Sequence, residues 1–95
     1  MPVGVIMEFD GATLEQYDEV IKRMQLTPEG PTAPGGLFHW ASATPTGIRV
    51  IDVWESQAQF EQFAGEQIGP ITAQVGFPGP PQTEIVPVHT YFTGG

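Results

Sequence analysis

The stretch Asp52-Val53-Trp54-Glu55-Ser56, with Phe60 and Phe63 just beyond it, reads as a strand that ends on a tryptophan and turns into an amphipathic helix. Ser56 offers the side-chain oxygen wanted at a helix N-cap, and Gln59, three residues on, completes the capping-box pattern. Phe60, Phe63 and Ala64 then recur at helical spacing on one face. This corner sets the second half of the chain as strand then helix.

Working backwards, Leu37 to Ala43 and Ile48 to Trp54 form a hairpin around Thr44-Pro45-Thr46-Gly47. Pro45 suits the second position of a type I turn, and Gly47 suits the left-handed residue of a following bulge. In that bulged register, which the Pro-Thr-Gly signal favours, Thr44 pairs with Ile48, Trp40 lies opposite Asp52 and Phe38 opposite Trp54. A two-residue turn instead places His39 opposite Asp52, because one slip exchanges every side chain between faces.

Further out, Val3 to Phe9 is an apolar run closed by Asp10-Gly11. Thr13 caps a helix with Gln16 as the reciprocal partner, and Leu14, Tyr17, Val20, Ile21 and Met24 make its apolar stripe. The segment 27–36 (TPEGPTAPGG) holds three prolines and three glycines, so it reads as a long irregular loop, either a lid or a solvated linker. The second helix runs from Ser56 to about Gln67, Gly69-Pro70 interrupts it, and Pro70 can begin a short extra helix carrying Ile71 and Val75. A last strand spans Thr83 to Phe92. The order β-α-β-β-α-β is ferredoxin-like, an α+β class with an antiparallel sheet, and residues 1–95 read as a single domain.

Both strand faces of the hairpin are substantially apolar in either register, whereas a half-solvated sheet alternates more cleanly. The sheet is therefore expected to be covered by its helices on one side and by a second sheet on the other. A homodimer meets that need at no cost in chain length.

The balance of three Lys+Arg against eleven Asp+Glu gives a net charge of -8 and leaves only Lys22, Arg23 and Arg49 as cations. Nucleic acid and anionic membranes are poor partners for such a surface. Without cysteine the chain has no disulfide, thiolate chemistry or cysteine-bound zinc. No apolar run approaches the ~20 residues that span a bilayer, and no leader pattern opens the chain, so a soluble cytoplasmic protein is expected.

Asp52, His39 and His89 are the candidate catalytic groups. An acid inside Ile51-Asp52-Val53-Trp54 needs a partner, since burying an unpaired carboxylate costs several kcal/mol. It could act as a base, orient a histidine, or simply accept a hydrogen bond from Trp40 or Tyr91. Each histidine is either a general acid or base or a packed strand residue. No close-spaced ligand pair points to a metal. Phe38, Trp40, Trp54, Phe63 and Tyr91 are the candidate substrate-binding residues for a small apolar or aromatic ligand, with plain core as the alternative for the aromatics. His89 and Tyr91 share a face of the last strand, and Arg49 is expected in a cross-strand ion pair.

The corner from Asp52 to Phe63, with an acid two residues before the tryptophan and aromatics on the next helix, resembles the antibiotic-biosynthesis-monooxygenase-like family of the dimeric α+β barrel type. The element order resembles that family over nearly the whole chain. The resemblance implies a dimer with a pocket between sheet and helices that Trp54 helps to line. It also implies cofactor-independent oxygenase chemistry, or related isomerase or cyclase chemistry, on a flat substrate. A ligand-binding or scaffold role is the alternative, since many members have no known activity. The haem-degrading and quinone-forming branches use an asparagine beside the tryptophan, and this chain has no asparagine anywhere. Their oxygenase residues therefore do not transfer.

Overall fold

The computed structural model describes residues 1–27 and 33–94. Four strands, β1 (Val3–Asp10), β2 (Gly36–Thr44), β3 (Gly47–Trp54) and β4 (Gln82–Pro87), form one antiparallel sheet in the order β2-β3-β1-β4. Helix α1 (Leu14–Arg23) follows β1. After β3 comes a continuous helical run of α2 (Gln57–Phe63), a π-helical turn (Ala64–Ile68) and α3 (Gly69–Val75). This is the expected ferredoxin-like arrangement. The hypothesis of a lid falls mainly on residues 28–32, outside the described residues.

Both helix starts follow from the capping residues. Thr13 Oγ1 accepts from the Gln16 backbone N–H, and Gln16 Oε1 accepts from the Thr13 N–H. Ser56 Oγ accepts from the Gln59 N–H, but its hydroxyl donates to Gln59 Oε1, so this cap is not fully reciprocal.

The short extra helix expected from Pro70, carrying Ile71 and Val75, is α3, and the interruption before it is a π-helical turn within a continuous helical run. Pro70 has no N–H to donate and its ring crowds the carbonyl one turn back. The chain absorbs this by widening, with Gly69 N–H donating five residues back to Ala64 O, and the helix resumes at once. Thr72 Oγ1 donates back to the Ile68 carbonyl at 2.7 Å, so its buried hydroxyl has a partner.

The hairpin takes the two-residue turn, not the bulged one. Thr44 pairs with Gly47, so His39 lies opposite Asp52 and Trp40 opposite Ile51. Gly47 is glycine because of close approach, not left-handed backbone. It pairs with Asp10 of β1, and a Cβ there would sit 2.1 Å from the Phe9 carbonyl oxygen. The irregularity sits at the other end of β2, where Gly36 pairs with Trp54 and Phe38 with Val53, leaving Leu37 as the extra residue.

This register sorts the side chains. Val5, Met7 and Phe9 of β1 share a face with Ile48, Val50, Asp52 and Trp54 of β3, and all seven are buried. Phe60 and Ile68 from the helical run close over them. The opposite face carries Ile6, Ile51, Val53, Phe38, Trp40 and Val86, with no described helix across it. The last strand ends at Pro87, five residues before the expected limit, so His89 and Tyr91 lie beyond the sheet. Pro87 cannot donate to a ladder, and β4 is the edge strand where that is tolerated.

Candidate functional site

The two-residue turn decides what Asp52 can touch. On adjacent strands and the same face, His39 Nδ1 lies 2.6 Å from Asp52 Oδ1. The other carboxylate oxygen, Oδ2, accepts from the Trp54 indole N–H at 3.1 Å. The partners expected for a structural Asp52, Trp40 or Tyr91, are therefore replaced by His39 and Trp54. Trp40 is excluded because its strand neighbour, Ile51, faces the other way from Asp52. The Asp52 side chain is 7% exposed and the His39 side chain 41%, so the pair runs from the core to the surface.

A fourth residue extends it. Tyr17 Oη on α1 is 2.5 Å from His39 Nε2, and the two rings lie nearly parallel, 8° apart. An ionised carboxylate only accepts, so Nδ1 carries the ring hydrogen toward Asp52. In the neutral imidazole Nε2 then accepts, and the Tyr17 hydroxyl donates to it. The result is one continuous polar chain, Trp54–Asp52–His39–Tyr17, linking β3, β2 and α1. Burial and then the Asp52 charge push the Tyr17 phenol up to about 12, so it keeps its proton at neutral pH.

Tyr17 reads in the sequence as one more apolar-stripe residue. The signal that marks it is general. A tyrosine on the inward face of a helix brings a hydroxyl that must find a partner.

The apolar candidates separate. Trp54 packs against Phe60 and Phe63 on the covered face, with ring centroids 5.7 Å and 5.2 Å away. Phe38 and Trp40 are on the open face and largely exposed, so the sheet divides them from Trp54 and Phe63. Tyr91 is exposed beyond β4, and the His89 side chain makes no hydrogen bond to any described residue.

A cleft of about 310 Å³ opens between the helical run and the β1/β4 side of the sheet, lined chiefly by Met7, Phe60, Ala64, Ile68, Thr83 and Ile85. One row of cross-strand neighbours, His39–Asp52–Val5–Ile85, joins the two features. It carries the imidazole at one end and the cleft at the other, three strand spacings of about 4.8 Å apart. Phe60 lines the cleft and touches Trp54, which in turn holds Asp52.

Among the described residues, no three His, Cys, Asp or Glu side chains converge on a point where a metal ion could sit. No described helix is long and apolar enough to cross a membrane.

The sheet order and helix placement define a ferredoxin-like α+β protein, and solved structures share that fold. A conserved protein from Methanosarcina mazei Go1 is similar at a TM-score of 0.57 and 11% identity, covering 90% of this chain and 91% of its own. A monooxygenase from the gene ActVA-Orf6 of Streptomyces coelicolor, solved with the ligand nanaomycin D, is similar at a TM-score of 0.50 and 17% identity, covering 99% and 92%. No protein-family model and no curated protein sequence matches the chain.

Proposed function

We propose that the chain, one domain over residues 1–95, is a cytoplasmic homodimeric enzyme related to the antibiotic-biosynthesis monooxygenases. In this reading it acts without metal or cofactor on a flat, mostly apolar small molecule, and His39 moves the proton. The observation that carries the proposal is the 2.6 Å contact between His39 and a buried Asp52 whose second oxygen is held by Trp54. A carboxylate fixed in this way orients the imidazole and stabilises its protonated form, which is what a general base needs. Proton removal is the common first step of cofactor-free oxygenation and of isomerase or cyclase chemistry. The small-molecule complex of the Streptomyces neighbour supports the substrate class. The uncovered apolar face supports the homodimer, since exposed patches of this kind mark interfaces.

The test is oxygen uptake and product formation with a panel of hydroxylated polycyclic aromatics. Turnover is expected to fall on the order of a hundredfold or more in His39→Gln and Asp52→Asn, and to persist in His89→Ala. Unchanged turnover in both of the first two variants contradicts the proposal. A second reading, a ligand-binding protein or scaffold without a reaction, draws support from the cleft lying three strand spacings from His39. It predicts that such a compound binds wild type and His39→Gln equally and is recovered unchanged.

A further inference from the structure

Resting on the proton-transfer reading of His39 and Asp52, we infer that Tyr17 is the group that meets the substrate: its phenol oxygen takes the substrate proton while its own proton passes to His39 Nε2. The geometry leaves the imidazole no other free nitrogen. Nδ1 is committed to Asp52 at 2.6 Å, and Nε2 is covered by the Tyr17 hydroxyl at 2.5 Å. An acidic group approaching from the α1 side meets the phenol first. The phenol oxygen uses its hydrogen on Nε2 and keeps its lone pairs for a proton from outside.

The energetics favour a concerted shift over a free phenolate. The half-buried phenol resists ionisation near the Asp52 carboxylate, so its proton leaves only as another arrives. The charge that results rests on an imidazolium beside Asp52, an ion pair already assembled. Asp52 in turn is kept in place by Trp54 and does not have to move. Tyr17 itself is placed by α1, whose start is pinned by the reciprocal Thr13–Gln16 cap and whose Gln16 side chain donates to Gly76 O at the end of α3.

The probe is nitrobenzisoxazole, a flat apolar compound that opens when a base removes its ring C–H proton. That proton goes to the Tyr17 oxygen and the Tyr17 proton to His39. The C–H electron pair forms the nitrile, the N–O bond breaks, and a coloured cyanonitrophenolate leaves. The wild-type chain is expected to open the probe faster than His39→Gln does. Tyr17→Phe, which removes only the hydroxyl, should lose on the order of a hundredfold. Fluorotyrosine placed at position 17 should shift the pH–rate profile toward lower pH with the more acidic phenol, a change that a mere strut would not produce. A Tyr17→Phe rate equal to wild type, or faster because Nε2 is uncovered, overturns the relay while leaving His39 as the base. A wild-type rate no higher than that of His39→Gln overturns the proton-transfer reading itself.

Discussion

The two faces of this sheet carry comparable apolar side chains and meet opposite environments. On the covered face Val5, Met7, Ile48, Val50 and Trp54 are at most 4% exposed beneath the helices. On the open face Phe38 and Trp40 remain 40% and 46% exposed. The described helices cover one layer only, so on the second face Val53 is buried while Phe38 and Trp40 stay exposed, which fits the proposed partner there. Each face also holds one acid in an ion-pair geometry. Asp52–His39 lies under α1 with a buried carboxylate, whereas Glu8–Arg49, at 2.6 Å, stands in solvent with side chains 29% and 48% exposed.

Cutting one side chain from each face should give the largest difference between them. Ile48→Ala, at a position only 1% exposed, should cost about 2–5 kcal/mol in denaturant unfolding, because it removes buried methyl groups and leaves a cavity. Trp40→Ala should leave unfolding of the isolated chain nearly unchanged and instead weaken self-association, read by sedimentation at several concentrations. Equal effects of the two on folding would erase the distinction between the faces.

A smaller contrast uses the two acids. Asp52→Asn removes the charge and replaces one acceptor oxygen by an N–H donor, so both contacts survive only if His39 changes tautomer, at a cost of about 1–3 kcal/mol. Arg49→Gln breaks only an exposed pair and should cost less than about 1 kcal/mol. Asp52→Asn also has a signature in alkali. Tyr17 is raised from 10.0 to about 12 in the folded chain, so the fold holds its proton longer than the unfolded chain does. Its contribution to stability is complete below pH 10 and is lost between pH 10 and about 12. Removing the Asp52 charge should lower the Tyr17 value and narrow that window, while the share due to burial persists. Ultraviolet titration of wild type, Asp52→Asn and Tyr17→Phe measures it.

The fold was legible because its signals are local and redundant. The Thr13 and Ser56 caps, the stripe on α1 and the Trp54 corner each lead to the same element order. The hairpin register was not. Gly47 has two reasons to be glycine, and only the neighbouring strand, whose Phe9 carbonyl would meet its Cβ, distinguishes them. That single slip hid the His39–Asp52 contact behind a favoured Trp40–Asp52 one. Tyr17 was hidden for a different reason. Helical spacing places its ring inward but cannot say which strand its hydroxyl reaches. The expected pairing of His89 with Tyr91 failed because Pro87 ends β4 before either residue.

The proposed homodimer requires a second copy against the open face, where Phe38 and Trp40 are exposed. Native mass spectrometry of freshly purified protein tests this in one step. The expected species has twice the 10.3 kDa chain mass, and a discrete small adduct on it would give the mass of a bound ligand. A stable monomer at micromolar concentration would contradict the account, since the exposed Phe38 and Trp40 would then have no partner.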